Sequence, residues 1–345
     1  MKRILECVPN FSEGRDLNKI KEITYAIESV SEIKLLDVDS GKAANRTVVT
    51  FAGEPEFVVE AAFRGIKKAS EVIDMKFQKG EHPRFGAADV CPLVPVANVT
   101  MEETVFFARQ LAERVGTELD IPVFCYEFAA FKKERESLAN CRSGEYEGLK
   151  DRISSEKWKP DFGPPKWNEK VASTGASAIG ARNFLVAYNV NLNTASARCA
   201  NLIASDIRES GRVVVSDGKQ FRVPGSLKKT RAIGWYIDDY GIAQVSMNLT
   251  DISVTPLHLA FDEVCKRAHE RGLKVTGSEL VGMIPLNAML DAGKYYLRKQ
   301  QLPIEISDDE IINVAIKSLG LDELKPFNPK KKIIEYAIEK VISNL

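Results

Sequence analysis

Histidine is scarce in this 345-residue chain, which has only His82, His258 and His269. An excess of charge of either sign is absent, since Lys+Arg and Asp+Glu each number 48. That balance removes the sustained positive field that a nucleic-acid backbone or an anionic membrane would require, so neither partner is expected. Long apolar runs are also missing. The start Met1-Lys2-Arg3-Ile4-Leu5-Glu6-Cys7 is broken at Glu6, short of a signal peptide, and no stretch approaches a membrane span. A cytoplasmic protein is the expectation. Cys7, Cys91, Cys125, Cys141, Cys199 and Cys265 are scattered without a Cys-x-x-Cys pair, which signals neither a zinc site nor a disulfide framework and leaves reduced, mostly buried thiols. What remains is 44% hydrophobic and 28% charged, a globular composition. The length suits two domains at about 150 residues each.

The most informative stretch is Gly80-Glu81-His82-Pro83-Arg84-Phe85-Gly86-Ala87-Ala88-Asp89-Val90-Cys91-Pro92. It gathers an imidazole, a guanidinium and two carboxylates on a backbone made irregular by proline and glycine. Imidazole exchanges its proton near neutrality, with an unperturbed pKa of about 6.5, so His82 in such a loop points to acid–base chemistry. His258 and His269 fall in an amphipathic helical pattern and read as structural or surface residues.

The first half reads as a strand over 3–9, a turn at Asn10-Phe11-Ser12-Glu13-Gly14, and a helix carrying Ile20, Ile23, Ile27 and Val30. A strand at 33–38, a polar loop Asp39-Ser40-Gly41-Lys42, a strand at 46–52 and a helix at 55–73 follow. The strand at 90–96 holds two prolines, which predicts a bulged or edge position. This β-α-β-β-α-β order is the ferredoxin-like arrangement, extended by a helix at 102–115 and a strand at 123–126. The second half repeats it: a strand at 184–192, a helix at 195–208, a hairpin of 232–238 with 243–249, a helix at 256–271 and a strand at 274–278. The fold class is therefore α/β (α+β), two ferredoxin-like subdomains with a cleft between them, assigned to residues 1–178 and 179–345. The Pro-, Gly- and Trp-bearing stretch 157–167 reads as the linker, and the capping box Ser307-Asp308-Asp309-Glu310 opens a helical tail.

Trp158, Phe162 and Trp167, interleaved with Lys159, Lys166 and Lys170, suit stacking on a flat heterocycle with an acidic tail, or simply pin the linker. Arg46 and Arg84 suit bidentate binding of carboxylates, and Asp39 suits orienting an imidazole. The segment Ser173-Thr174-Gly175-Ala176-Ser177-Ala178-Ile179-Gly180-Ala181-Arg182 has the small residues of a phosphate loop without its Lys-Ser/Thr ending. A metal-dependent hydrolase built on His82, Glu81 and Asp89 lacks further histidines at ligand spacing, so no metal is expected.

Val8-Pro9-Asn10-Phe11-Ser12-Glu13-Gly14-Arg15, Asn45-Arg46-Thr47, the His82 loop, Gly175-Ala176, Gly180-Ala181-Arg182-Asn183-Phe184-Leu185-Val186-Ala187-Tyr188-Asn189, Gly234-Trp235 and Gln244-Val245-Ser246-Met247-Asn248-Leu249-Thr250 together resemble the glutamate formimidoyltransferase family over nearly the whole chain. The resemblance implies two α/β subdomains around a folate-binding tunnel, a homodimer, and transfer of a formimino group from N-formimino-L-glutamate to N5 of tetrahydrofolate in histidine breakdown. It implies that His82 is the catalytic histidine and that Gly163, Pro164, Pro165, Lys166, Trp167, Asn168, Glu169, Lys170, Val171 and Ala172 contact folate, the co-substrate. Asp39 is assigned to orient His82, and Arg46 and Arg84 to hold the glutamate carboxylates. With no room before Leu345 for the family's cyclodeaminase domain, a separate cyclodeaminase is expected to process the product. Three alternatives stay open: formyl transfer from N-formylglutamate, formimino transfer from formiminoglycine, and a non-catalytic folate-binding protein.

Overall fold

The computed structural model describes residues 3–41, 45–80, 84–216, 219–238 and 240–342. The chain divides into two compact units, Met1–Arg182 and Asn183–Leu345.

The first unit runs β1 (Ile4–Cys7), β2 (Asn10–Phe11), α1 (Leu17–Glu28), β3 (Ile33–Gly41), β4 (Arg46–Gly53), α2 (Pro55–Val72), β5 (Ala88–Ala97), α3 (Met101–Glu118) and β6 (Val123–Glu127). Three short helices follow, α4 (Leu138–Cys141), α5 (Leu149–Ile153) and α6 (Glu169–Thr174), and then β7 (Ser177–Ala181). Local chemistry sets the helix starts. Asp16 accepts from the backbone N–H groups of Asn18 and Lys19, Pro55 opens α2, and Thr100 and Glu103 form a capping box on α3.

In the sheet, β3 pairs β4, β4 pairs β1 and β2, and these pair β5, all antiparallel, which is the ferredoxin-like order. Strands β7 and β6 extend it in parallel beyond β5. Helices α1–α3 bury one face, where Ile23, Ile66 and Leu111 meet Leu5, Phe11, Phe51 and Leu93. The excursion between β6 and β7 covers part of the opposite face, setting Cys141, Leu149, Ile153 and Val171 against Phe85, Val90, Phe124 and Ala178.

Several expectations change in this unit. Residues Asn10 and Phe11 continue the first strand rather than turning, and β3 runs through Gly41, so Asp39 stands in a strand opposite Val48. Strand β5 is interior despite Pro92 and Pro95, and the β1–β5 register is irregular where Leu5 faces Pro95. The stretch expected to link the units belongs to the first one. Buried Arg135 pairs with Asp161 and donates to the Lys159 carbonyl at 2.6 Å, while Phe162 bridges Val123 beside β6. Residues Ser177–Ala181, weighed as part of a phosphate loop, form the fully buried β7 between β5 and β6. The division at Arg182 therefore falls just beyond the expected end at residue 178.

The second unit runs β8 (Val186–Leu192), α7 (Ala197–Ile207), the separate hairpin β9 (Arg212–Ser216) and β10 (Lys219–Val223), then β11 (Thr230–Ile237), β12 (Ile242–Leu249), α8 (Leu257–His269) and β13 (Val275–Val281). Its four-stranded order β11-β12-β8-β13 repeats the ferredoxin-like pattern. Four further helices close the chain: α9 (Leu286–Lys299), α10 (Asp308–Leu319), α11 (Pro329–Lys332) and α12 (Ile334–Ile342). Helix α10 starts with the expected capping box, Ser307 with Glu310. The buried Gln244 amide is satisfied at both ends across the sheet: its Oε1 accepts the Trp235 indole N–H at 3.1 Å, and its Nε2 donates to Asn191 Oδ1 at 2.8 Å. His258 is buried and stacked on Tyr295 with ring centroids 4.3 Å apart, whereas His269 is exposed at the end of α8.

Candidate functional site

Asp89 is the centre of the polar cluster in the first unit. Asn10 pairs with Val90 and Phe11 with Ala88, so Asp89 is an extra residue in β5, a bulge. Bulges redirect side chains at functional positions, and this one sets a 1% exposed carboxylate between two guanidiniums. Arg142 Nη2 lies 2.7 Å and Arg46 Nη1 3.2 Å from Asp89 Oδ2, while Oδ1 accepts the Phe85 N–H at 3.0 Å. Arg46 also donates from Nε to Asn10 Oδ1 at 3.0 Å. Burial pushes the Asp89 carboxyl up to about 6, against the opposing pull of Arg142 and Arg46. Burial likewise lowers the pKa of Arg46, opposed by Asp89.

Arg84 sits on the other side of Phe85. Its guanidinium pairs with Glu147 and lies 5.4 Å from the Tyr146 ring centroid, and its backbone carbonyl accepts the Tyr146 N–H at 2.8 Å. Its Nη1 is buried without a hydrogen-bond partner among the described residues. Tyr146 continues the chain of contacts, its ring 5.8 Å from that of Trp167 and its hydroxyl donating to the Ala172 carbonyl. The Met75 N–H reaches the Ser173 carbonyl at 2.8 Å, so the segment before the histidine loop also abuts α6.

A second set of contacts ties that segment to β4. Gln78 Nε2 donates to the Asn45 carbonyl at 2.9 Å, Asn45 Nδ2 donates to the Lys79 carbonyl at 2.8 Å, and Asn45 Oδ1 accepts the Gly14 N–H at 3.0 Å. The Glu13 carboxylate accepts three successive N–H groups, from Gly14, Arg15 and Asp16. Gly86 is required where the two paths meet, because a Cβ there would lie 2.1 Å from the Ala176 carbonyl oxygen.

The structure thus brings Arg46, Arg84 and Asp89 into one region with Trp167 and Ala172. His82, with Glu81 and Pro83, lies outside the described residues. Asp39 is exposed on β3 and, by register, shares a sheet face with Arg46. The stretch 163–172 is mixed: Val171 and Ala172 are buried, Gly163 takes a positive φ of 83°, Asn168 caps α6, and Pro165, Lys166, Glu169 and Lys170 are exposed. Trp158 has its ring covered by Arg152 at 3.6 Å, which argues for a pinning role. Sequence reasoning missed Arg142, Tyr146 and Gln78. The first two lie in the aperiodic excursion after β6, and Gln78 lies in a polar run with no motif around it. Among the described residues no group of three or more His, Cys, Asp or Glu is placed to hold a metal ion, and no helix is long and apolar enough to cross a membrane.

Two ferredoxin-like units, the first with a buried carboxylate held between two guanidiniums, define a two-unit α/β protein. Residues 4–182 match the formiminotransferase domain, N-terminal subdomain, and residues 187–339 match the formiminotransferase domain. The chain belongs to the formiminotransferase family. It is 46% identical to the glutamate formimidoyltransferase of Thermoplasma acidophilum, over 86% of this chain and 92% of that one. The glutamate formimidoyltransferase of Streptococcus pyogenes serotype M1 is 41% identical over 86% of this chain and 94% of its own. The formimidoyltransferase-cyclodeaminase of Gallus gallus is 47% identical over 98% of this chain, which spans 60% of that longer relative.

Proposed function

We propose that the protein is a glutamate formimidoyltransferase, moving the formimino group of N-formimino-L-glutamate to N5 of tetrahydrofolate and releasing L-glutamate. The observation that carries this reading is the pair of arginines on buried Asp89, together with an Arg84 whose buried Nη1 has no hydrogen-bond acceptor among the described residues. Agreement over most of the length of two relatives named for this activity supports it.

The chemistry follows from the residue types. N5 attacks the formimino carbon to give a tetrahedral intermediate, and His82 takes the proton from the attacking amine and returns it to the departing glutamate nitrogen. Such general acid–base work contributes typically about 10²–10⁴-fold. Arg84 and Arg46, the latter fixed by Asn10 and Asp89, hold the donor carboxylates, with Asp39 as orienting carboxylate for the imidazole. The exposed part of 163–172 receives the folate, Trp167 being held against Tyr146. A homodimer, a cytoplasmic location and hand-over of the product to a cyclodeaminase belong to the same reading.

The test is a spectrophotometric assay of 5-formimidoyltetrahydrofolate formation with wild type, His82→Ala and Arg84→Ala. Wild-type turnover, lost by about 10²–10⁴-fold in His82→Ala, is the expected result, with Arg84→Ala raising KM for the donor. Folate binding without turnover of any donor identifies a binding protein instead.

A further inference from the structure

Gln78 ends in a buried acceptor without a donor. The residue is 8% exposed, and its Oε1 has no hydrogen-bond partner among the described residues. The amide cannot turn over to relieve this, because Nε2 donates to the Asn45 carbonyl at 2.9 Å and exchanging the ends would face two oxygens. Asn45 in turn holds the Lys79 carbonyl at 2.8 Å, so the side chain and the backbone after it are fixed to the residue that precedes Arg46. At the other end of the same segment, Arg84 Nη1 is a buried donor without an acceptor. In sequence, one unpaired acceptor and one unpaired cationic donor stand on either side of His82.

We infer that Gln78 selects the formimino donor over its formyl analogue, its Oε1 accepting an N–H from the terminal nitrogen of the amidine group. This inference rests on the proposed transferase reading. N-formimino-L-glutamate carries the inverse polar set, an amidine that donates and carboxylates that accept. The formyl analogue has a carbonyl oxygen where the amidine has its terminal nitrogen, so two acceptors would face one another. That nitrogen stays on the transferred carbon. A bond forms from N5 to this carbon, the bond from the carbon to the glutamate nitrogen breaks, and the released pair takes up the proton on glutamate, so the contact with Gln78 persists through the step. Hydrogen bonds to charged groups correspond to a discrimination of about 10- to 100-fold.

The decisive measurement is kcat/KM for N-formimino-L-glutamate and N-formyl-L-glutamate in wild type and Gln78→Met, with tetrahydrofolate saturating. The expected result is a wild-type preference for the formimino donor that falls by about 10- to 100-fold in the variant while KM for tetrahydrofolate holds. A preference unchanged by Gln78→Met overturns the inference and leaves the transferase reading intact. Calorimetric affinity of the wild type for the two donors supplies a readout independent of the variant's folding, and equal affinities also overturn it. Absence of wild-type turnover with the formimino donor overturns the transferase reading and this inference with it.

Discussion

Asp89 shows what a single side chain does to the balance between stability and site geometry. Its carboxyl is pushed up to about 6 from an ordinary 3.8 because burial outweighs the attraction of Arg142 and Arg46. A folded-state value above the unfolded one means that between these limits the folded chain binds a proton the unfolded chain lacks. The contribution of this group to stability therefore rises as pH falls from about 6 to about 4 and is lost as pH rises through 6. At neutrality the ionised carboxylate opposes folding, and it is retained to hold two guanidiniums in place. In urea unfolding at pH 5 and pH 7, wild type gains stability relative to Asp89→Asn at the lower pH. A difference independent of pH would show that Asp89 titrates as an ordinary carboxylate. Arg46 and Arg84 stand out in the sequence as candidate carboxylate binders because each lies in a compact polar motif, whereas Asp89 stands out only as one carboxylate of the His82 loop. Arg142 and Tyr146 do not stand out, because no periodic pattern marks the irregular excursion that brings them to Asp89 and Arg84.

Elements with a repeating apolar pattern were legible, and those whose partners come from far along the chain were not. Helices α1–α3 follow their apolar spacing, and β8, β11 and β12 form where the sequence reads as strands, the last two as a hairpin. Strand β7 carries no strand signal in the sequence because Ser177-Ala178-Ile179-Gly180-Ala181 has too little side chain to announce one, and the parallel pairing with β5 and β6 is what makes it a strand. The same close packing fixes the entry to β5. Gly86 pairs as an isolated bridge with Gly175, and a Cβ on Gly86 would overlap the Ala176 carbonyl. Gly86→Ala must therefore displace the backbone between the histidine loop and β5. A loss of about 1–3 kcal/mol is expected in denaturant unfolding, the range for overpacking a tight site, together with reduced turnover. An unchanged midpoint would mean that the backbone yields freely there.

At the scale of the whole molecule, the two halves are built on one plan with different additions. The first adds α3, β6, the excursion and β7 to its ferredoxin-like core, and the second adds a hairpin within the core and four helices after it. Because all pairings of β5, β6 and β7 lie within Met1–Arg182, that unit contains every strand its sheet requires. The stretch 157–167 misled the sequence reading for a physical reason: proline and glycine mark irregular backbone, and irregular backbone here packs inside a domain through Arg135 and Asp161 rather than joining two. A fragment of residues 1–182 is accordingly expected to unfold in one cooperative transition, since its core and sheet are complete. A fragment of residues 1–176 loses β7, which leaves β6 with no named strand beside it and uncovers Phe124 and Tyr126. Circular dichroism melting of the two fragments tests this directly: a sharp transition for the longer fragment and a broad or absent one for the shorter places the end of the first folding unit after β7, whereas equal cooperativity would place it before.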